Sequence, residues 1–367
     1  MNNNPIVKKN QIMKKTDLLK EVIQHFDITK INSIPIIDAY RDMSFSSRDT
    51  ANATDIFQMM INDKKCTNVL VLAGSTSAGG CMQVYIDMVK YGMVDVIVAT
   101  GASIVDMDFF EALGFKHYKG TPNVDDNMLR GLYIDRIYDT YIDEEELQKC
   151  DLAIEEITNT LPARPHSSRE FISKMGAWLS QYGSKKESLI EVAYQKNVPI
   201  FCPAFNDCSA GFGLVKHQIE KIKIGEPYVT LDGVADFREL TEIKKAAGRT
   251  GLFIVGGGVP KNFMQDTVVC AEVAFKLENV EMHKYAIQIT VADSRDGACS
   301  SSTLKEAASW GKVDTTHEQM VYAEATTVVP LIASYIYHKG DWQKRQPRNC
   351  ANLFKKPAKF RYRNYLK

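Results

Sequence analysis

Short apolar runs, each closed by glycine or a polar residue, punctuate the chain from residue 67 onward. TNVLVLA (67–73) is rich in β-branched residues and stops at Gly74, and VDVIVAT (94–100) stops at Gly101. Between them, CMQVYIDMVKYG places apolar residues at helical spacing and stops at Gly92. Strand, glycine-rich turn, helix, strand is a βαβ unit, which sets two buried parallel strands side by side. The pattern returns in ESLIEVAYQKN (187–197), a helix, and VPIFCPA (198–204), a strand. GLFIVGGG (251–258) is a strand running into three glycines, with Pro260 placed for a first helical turn. YAIQITVA (285–292) reads as a further strand, and VYAEATTVVPLIASYIYH (321–338) as one long apolar helix with a kink at Pro330. Five such strands separated by helices predict an α/β fold, a Rossmann-like, doubly wound, mostly parallel sheet flanked by helices. Ligands of these sheets sit outside the carboxyl ends of the strands.

The flanking regions follow other patterns. The first 15 residues or so are polar and are expected to fray; from Asp17, the residues Leu18, Leu19, Val22, Ile23 and Phe26 keep helical spacing. Residues 36–62 read as partly helical, and 121–185, with DEEELQ at 143–148, as helices and loops joining the halves. The tail KRQPRNCANLFKKPAKFRYRNYLK is basic and reads as solvated or crossing to a neighbouring subunit rather than as a nucleic-acid arm. The predicted organisation is an extension over 1–30, one main domain over 31–340 and a basic tail over 341–367.

Composition narrows the function classes. The 367 residues are 45% hydrophobic and 25% charged, as in ordinary soluble globules. Lys+Arg and Asp+Glu both number 45, so the formal charge is zero, which argues against broad electrostatic binding of nucleic acid or of a membrane surface. None of the eight cysteines forms a C-x-x-C pair, so no metal is expected. The start lacks an apolar signal region, and no run reaches the roughly 18 apolar residues of a membrane span. A cytoplasmic protein with reduced thiols is the expectation.

Candidate chemistry gathers where the apolar runs end. AGSTSAGG (73–80) opens a helix and offers free backbone N–H groups to a cofactor phosphate or ribose, or is simply a tight turn. It is not a P-loop, because Gly80 and Cys81 stand where Lys and Ser/Thr are required. In TGASIVDMD (100–108), Asp106 and Asp108 suit a ribose hydroxyl or an ammonium, or cap a helix. Asp207 in PAFNDCSAGFG (203–213) leaves the same choice, and the glycines of GGGVP (256–260) suggest something flat or charged against the main chain. In DSRDGACSSSTLKEAASWGK (293–312), Glu306 and Trp310 are i, i+4 and share a helix face, and Gly311 then presents Lys312. An indole attracts an organic cation, a carboxylate pairs with an ammonium, and a lysine held neutral by burial forms an imine. A surface helix with an ion pair is the plainer reading. His25, His166, His283 and His338 are scattered without ligand spacing.

At S-W-G-K the chain resembles deoxyhypusine synthase, and more closely its bacterial and archaeal deoxyhypusine synthase-like relatives. The resemblance runs from about residue 30 to about 340 through MVDVIVATGA, PAFNDCSAG, FIVGGGVPKN, EAASWGK and VYAEATTVVPL in that order. It implies NAD as cofactor and a homotetramer with sites at subunit interfaces. It also implies transfer of a 4-aminobutyl unit: the amine carbon of spermidine or putrescine is oxidised by NAD, a lysine captures the four-carbon unit as an imine, and an acceptor amine displaces that lysine before reduction. By position, Lys312 matches the imine-forming lysine, and Glu306 and Trp310 match the groups flanking the polyamine. Ser77, Thr100, Gly101, Asp106, Asp207, Gly257 and Asp296 match cofactor contacts, and Glu324 and Ala325 stand where the family usually has Asp-Ala. T-S-A-G-G replaces a longer loop of the eukaryotic enzymes. At substrate-binding positions, Asn262 replaces a histidine, and Phe212 and Cys299 each replace an aspartate. Each lost carboxylate removes an anchor for an ammonium. The acceptor is therefore open: a translation-factor lysine, or a free amine giving a homospermidine-type product. Two rival readings are an NAD-binding regulatory homologue without transfer and an NAD-dependent amine dehydrogenase.

Overall fold

Six parallel strands form the central sheet of the computed structural model, which describes residues 14–185, 187–295 and 302–355. They are β1 (Thr67–Leu72), β2 (Val96–Ala99), β3 (Ile200–Phe201), β4 (Thr250–Val255), β5 (Tyr285–Thr290) and β6 (Glu318–Tyr322), in the order β6-β5-β4-β1-β2-β3. Val69 pairs with Val96 on one side and Leu252 on the other. The chain winds outward from β1 to β3, then returns to the far side of β1 for the second half. This is the doubly wound order, with its switch point between β1 and β4. The α/β fold class expected from the sequence is the one observed.

β1, β2, β4 and β5 are buried at every residue, which is why they read as continuous apolar runs. Successive side chains enter opposite layers. Leu70 and Leu72 join Phe57, Ile97 and Phe253 in one core, and Val69 and Val71 join Val98, Leu252 and Ile254 in the other. Helices α1 (Ser46–Asn62), α2 (Met82–Lys90), α3 (Leu189–Lys196), α4 (Ser209–Lys223), α5 (Gly258–Gln265), α6 (Leu304–Ser309) and α7 (Ala325–Lys339) are the ones that frame the site. Among the described residues no helix is long and apolar enough to cross a membrane.

Four expectations are corrected. Helix near the N-terminus is confined to Lys15–Leu18; beyond it Val22 bridges Tyr118, and Phe26 N donates to Gly80 O at 2.9 Å. Pairing with other segments satisfies this backbone where so short a helix could not stand alone. The stretch 121–185 contains a hairpin, Ile134–Ile137 with Thr140–Asp143, extended by Tyr118–Lys119 into a three-stranded sheet. The apolar run at 321 begins inside β6, so the helix starts only at Ala325 and runs through Pro330. Finally, residues 341–355 are docked rather than solvated. Arg345 is buried and pairs with buried Asp95 just before β2, Arg348 N donates to the same carboxylate at 2.7 Å, and Leu353 and Phe354 pack on the second core.

Candidate active site

The carboxyl ends of β1, β2 and β4 meet in one place. After β1 the chain makes a π-helical turn, Ser77–Cys81, in which Gly80 takes φ 102°. The Ser77 hydroxyl there is buried and has no hydrogen-bond partner. Ser103 Oγ donates to Gly74 O at 2.8 Å and lies 3.4 Å from Thr100 Oγ1, tying the ends of β1 and β2 together. A Cβ on Gly101 would lie 2.5 Å from Cys208 Sγ, so the β2 end packs directly against the loop carrying exposed Asp207. Gly256 and Gly258 take φ +76° and +65°, so two of the three glycines are demanded by the backbone itself. Gly257 is the N-cap of α5 and leaves that helix start without a side-chain cap. Glu324, exposed, and Ala325, buried, start α7 beside the glycine turn: the methyl of Thr326 lies 3.3 Å from where a Cβ on Gly79 would sit.

Capping accounts for the two aspartates after β2. Asp106 accepts from Ser209 N at 2.9 Å at the start of α4; burial pushes its carboxyl above the usual range, and the Ser209 hydrogen bonds oppose that. Asp108 accepts from Leu189 N and Ile190 N at 2.7 and 2.8 Å at the start of α3, and burial pushes it up to about 6.

The amine cluster is built differently from the sequence expectation. Glu306 closes a capping box on α6: its carboxylate accepts from Thr303 N at 2.6 Å, while Thr303 Oγ1 accepts from Glu306 N at 3.1 Å. The hydrogen bond from the Thr303 backbone, then that from its hydroxyl, holds the Glu306 carboxyl below its usual range. Trp310 follows the helix and is 67% exposed, and Gly311 at φ +69° turns the chain to Lys312. Lys312 O accepts from His283 N at 2.9 Å, and Val313 bridges His283, just before β5. Lys312 is therefore anchored near the amino end of β5, not at the carboxyl edge where the glycine turns lie. Its side chain is only 13% exposed, yet burial does not leave the amine unpaired: Nζ lies 2.6 Å from Asp266 Oδ1 and 5.4 Å from the centroid of the Trp310 ring.

Two residues of this cluster went unnoticed in the sequence. Asp266 follows α5 and had no signal, since only the fold brings it to Lys312. Lys261, fully buried on α5, donates from Nζ to Ser302 O; burial pushes it down to about 8, with Glu306 opposing and Lys312 adding to the shift. Its place directly after GGGVP was the available hint. Asn262 is half-buried on α5 and Phe212 exposed on α4. Asp296 and Cys299 lie outside the described residues.

The family model for deoxyhypusine synthase matches residues 35–336. The chain belongs to the deoxyhypusine synthase family. It is 68% identical over 343 residues, 93% of each chain, to a deoxyhypusine synthase-like protein of Caulobacter vibrioides. It is 66% identical over 346 residues, 94% of this chain and 97% of the relative, to a deoxyhypusine synthase-like protein of Coxiella burnetii. The crystal structure of a candidate deoxyhypusine synthase from Entamoeba histolytica superimposes with a TM-score of 0.57 at 21% identity, covering 86% of this chain and 97% of that one. That likeness speaks for the fold. Membership of the deoxyhypusine synthase family supports aminobutyl transfer and NAD use as the general chemistry. The residues present fit a dinucleotide: an orphaned buried hydroxyl at Ser77, a helix start at Gly257 with no side-chain cap, and glycine turns that admit close main-chain approach.

Proposed function

We propose that the protein is an NAD-dependent transferase that moves a 4-aminobutyl unit from a polyamine, spermidine or putrescine, to an acceptor amine. The acceptor is a protein lysine or a free amine. The observation that carries this reading is the nearly buried Lys312 Nζ beside the indole of Trp310, in a chain of this family. When bound, NAD supplies a hydride acceptor for the amine carbon and later the hydride that closes the reaction. Ser77, Thr100, Gly101 and Gly257 would hold it at the strand ends, with Asp106, Asp207, Glu324 and Ala325 around them; Asp296 joins this set by the resemblance alone. Lys312, as the neutral amine, attacks the oxidised carbon and retains the four-carbon unit as an imine while the remaining amine departs. The acceptor amine then displaces Lys312. Trp310 offers its π face to the cationic donor, and Glu306 supplies a carboxylate nearby.

Within one chain the amine cluster and the glycine turns lie at opposite ends of α5, whose eight residues span about 12 Å. Trp310 opens outward, and α4 exposes an apolar face of Phe212, Val215, Ile219 and Ile222. Both features support a homotetramer whose sites are completed across subunit interfaces. The unbridged thiols of the described cysteines accord with a cytoplasmic setting.

Incubation with spermidine, NAD and a panel of acceptor amines, read by mass spectrometry of the products, tests the reading. Expected are diaminopropane, a product carrying the intact four-carbon unit, and no net NADH. Net NADH would mean an amine dehydrogenase, and NAD binding without diaminopropane a regulatory homologue.

A further inference from the structure

We propose that Asp266 is the counter-ion of the Lys312 nitrogen throughout the reaction, pairing first with the ammonium and then with the protonated imine. The inference rests on the assignment of Lys312 as the imine-forming residue and adds a residue to that site.

The geometry carries it. Asp266 Oδ1 lies 2.6 Å from Nζ, and the lysine side chain is 13% exposed. Asp266 joins α5 to the helix Thr267–Val273, with its N donating to Asn262 O at 2.8 Å and its O accepting from Cys270 N at 2.8 Å. Its backbone is thus fixed from both sides. Its carboxylate makes no helix-capping bond and is left for the lysine. The other charged groups near Nζ are engaged elsewhere: Glu306 caps α6, and Lys261 donates to Ser302 O and adds positive charge. Trp310 contributes only its ring.

Nζ carries positive charge as the resting ammonium and again as the protonated imine; between the two it gives one proton to solvent and is neutral. Starting from neutral Nζ, a C–N bond forms to the oxidised carbon and the bond to the departing amine breaks. One proton passes from Nζ to the departing nitrogen, and Nζ keeps one proton and the positive charge of the protonated imine. That cation is the form an acceptor amine attacks readily. A carboxylate at hydrogen-bond distance favours the charged form of both species. Asp266 therefore stays the hydrogen-bond partner of this nitrogen from the free lysine to the imine.

The test uses the full chain with butanal as the probe and no cofactor, so failure of NAD-dependent transfer leaves it interpretable. The parent, Asp266→Asn and Asp266→Glu are treated with butanal and cyanoborohydride, which reduces the protonated imine, from about pH 5 to about pH 9, and alkylation of Lys312 is read by peptide mass. In parallel, acetic anhydride at neutral pH reads the free amine. In Asp266→Asn, acetylation of Lys312 should rise about tenfold, while the upper pH limit of imine trapping should fall by about one unit or more. Asp266→Glu should restore both. The opposite directions separate this role from a structural one, because a loosened fold would expose both forms alike. Unchanged acetylation and trapping in Asp266→Asn, movement of both in one direction, or no butanal adduct at Lys312 in the parent would each overturn the proposal.

Discussion

Lys312 and its surroundings show how much of a site residue types can reveal and how much they leave to the fold. Trp310 and Lys312 stand close in sequence, and the structure brings the amine over the indole at 5.4 Å. Glu306 shares their segment but serves Thr303, because Thr-x-x-Glu at a helix start is also a capping box. Asp266 lay beyond sequence reasoning, since nothing in Q-D-T marks it and the Lys312 contact depends on how α5 packs. Trp310 is the residue to test. A cation over an indole contributes about 0.5–2 kcal/mol, so Trp310→Ala should raise the KM for the amine donor about 2- to 30-fold. Binding of NAD alone should be unaffected. Steady-state kinetics with varied spermidine checks this, and an unchanged donor KM would remove Trp310 from the amine site.

At the scale of elements, legibility followed burial. Strands buried on both faces announce themselves as apolar runs, and five of the six did so. β6 lies at the sheet edge, is mostly half-buried and merges with the apolar helix behind it. The hairpin at 134–143 was missed because Ile134–Ile137 is only half-buried after Ile134 and mixes Asp and Arg with isoleucine. The docked segment 341–355 misled for another reason: its charges read as solvated, yet Arg345 meets the equally buried Asp95 and also donates to Gly92 O. Removing one partner of such a pair leaves an uncompensated buried charge, at a cost of about 3–5 kcal/mol. Arg345→Met should therefore lower stability by about that amount and shift the urea midpoint accordingly. A midpoint equal to the parent's would show that the strap contributes little to holding the amino ends of β1 and β2.

At the scale of the whole molecule, two groups of features lie apart. Cofactor-type features, the orphaned Ser77 hydroxyl and the glycine turns, crowd the carboxyl ends of β1, β2 and β4. The residues proposed for the amine chemistry lie elsewhere: Lys312, Trp310 and Asp266 at the ends of α6 and α5, with Lys261 buried within α5 and Trp310 opening outward. The doubly wound order was legible from the sequence, but this separation was not, because it depends on where α6 delivers Lys312 relative to β5. The most direct measurement is a trapping experiment on the assembled protein. After incubation with labelled spermidine and NAD followed by borohydride, peptide mass spectrometry should find the four-carbon label on Lys312, and Lys312→Arg should carry none. Label on a different lysine, or equal labelling of the arginine variant, would contradict the account.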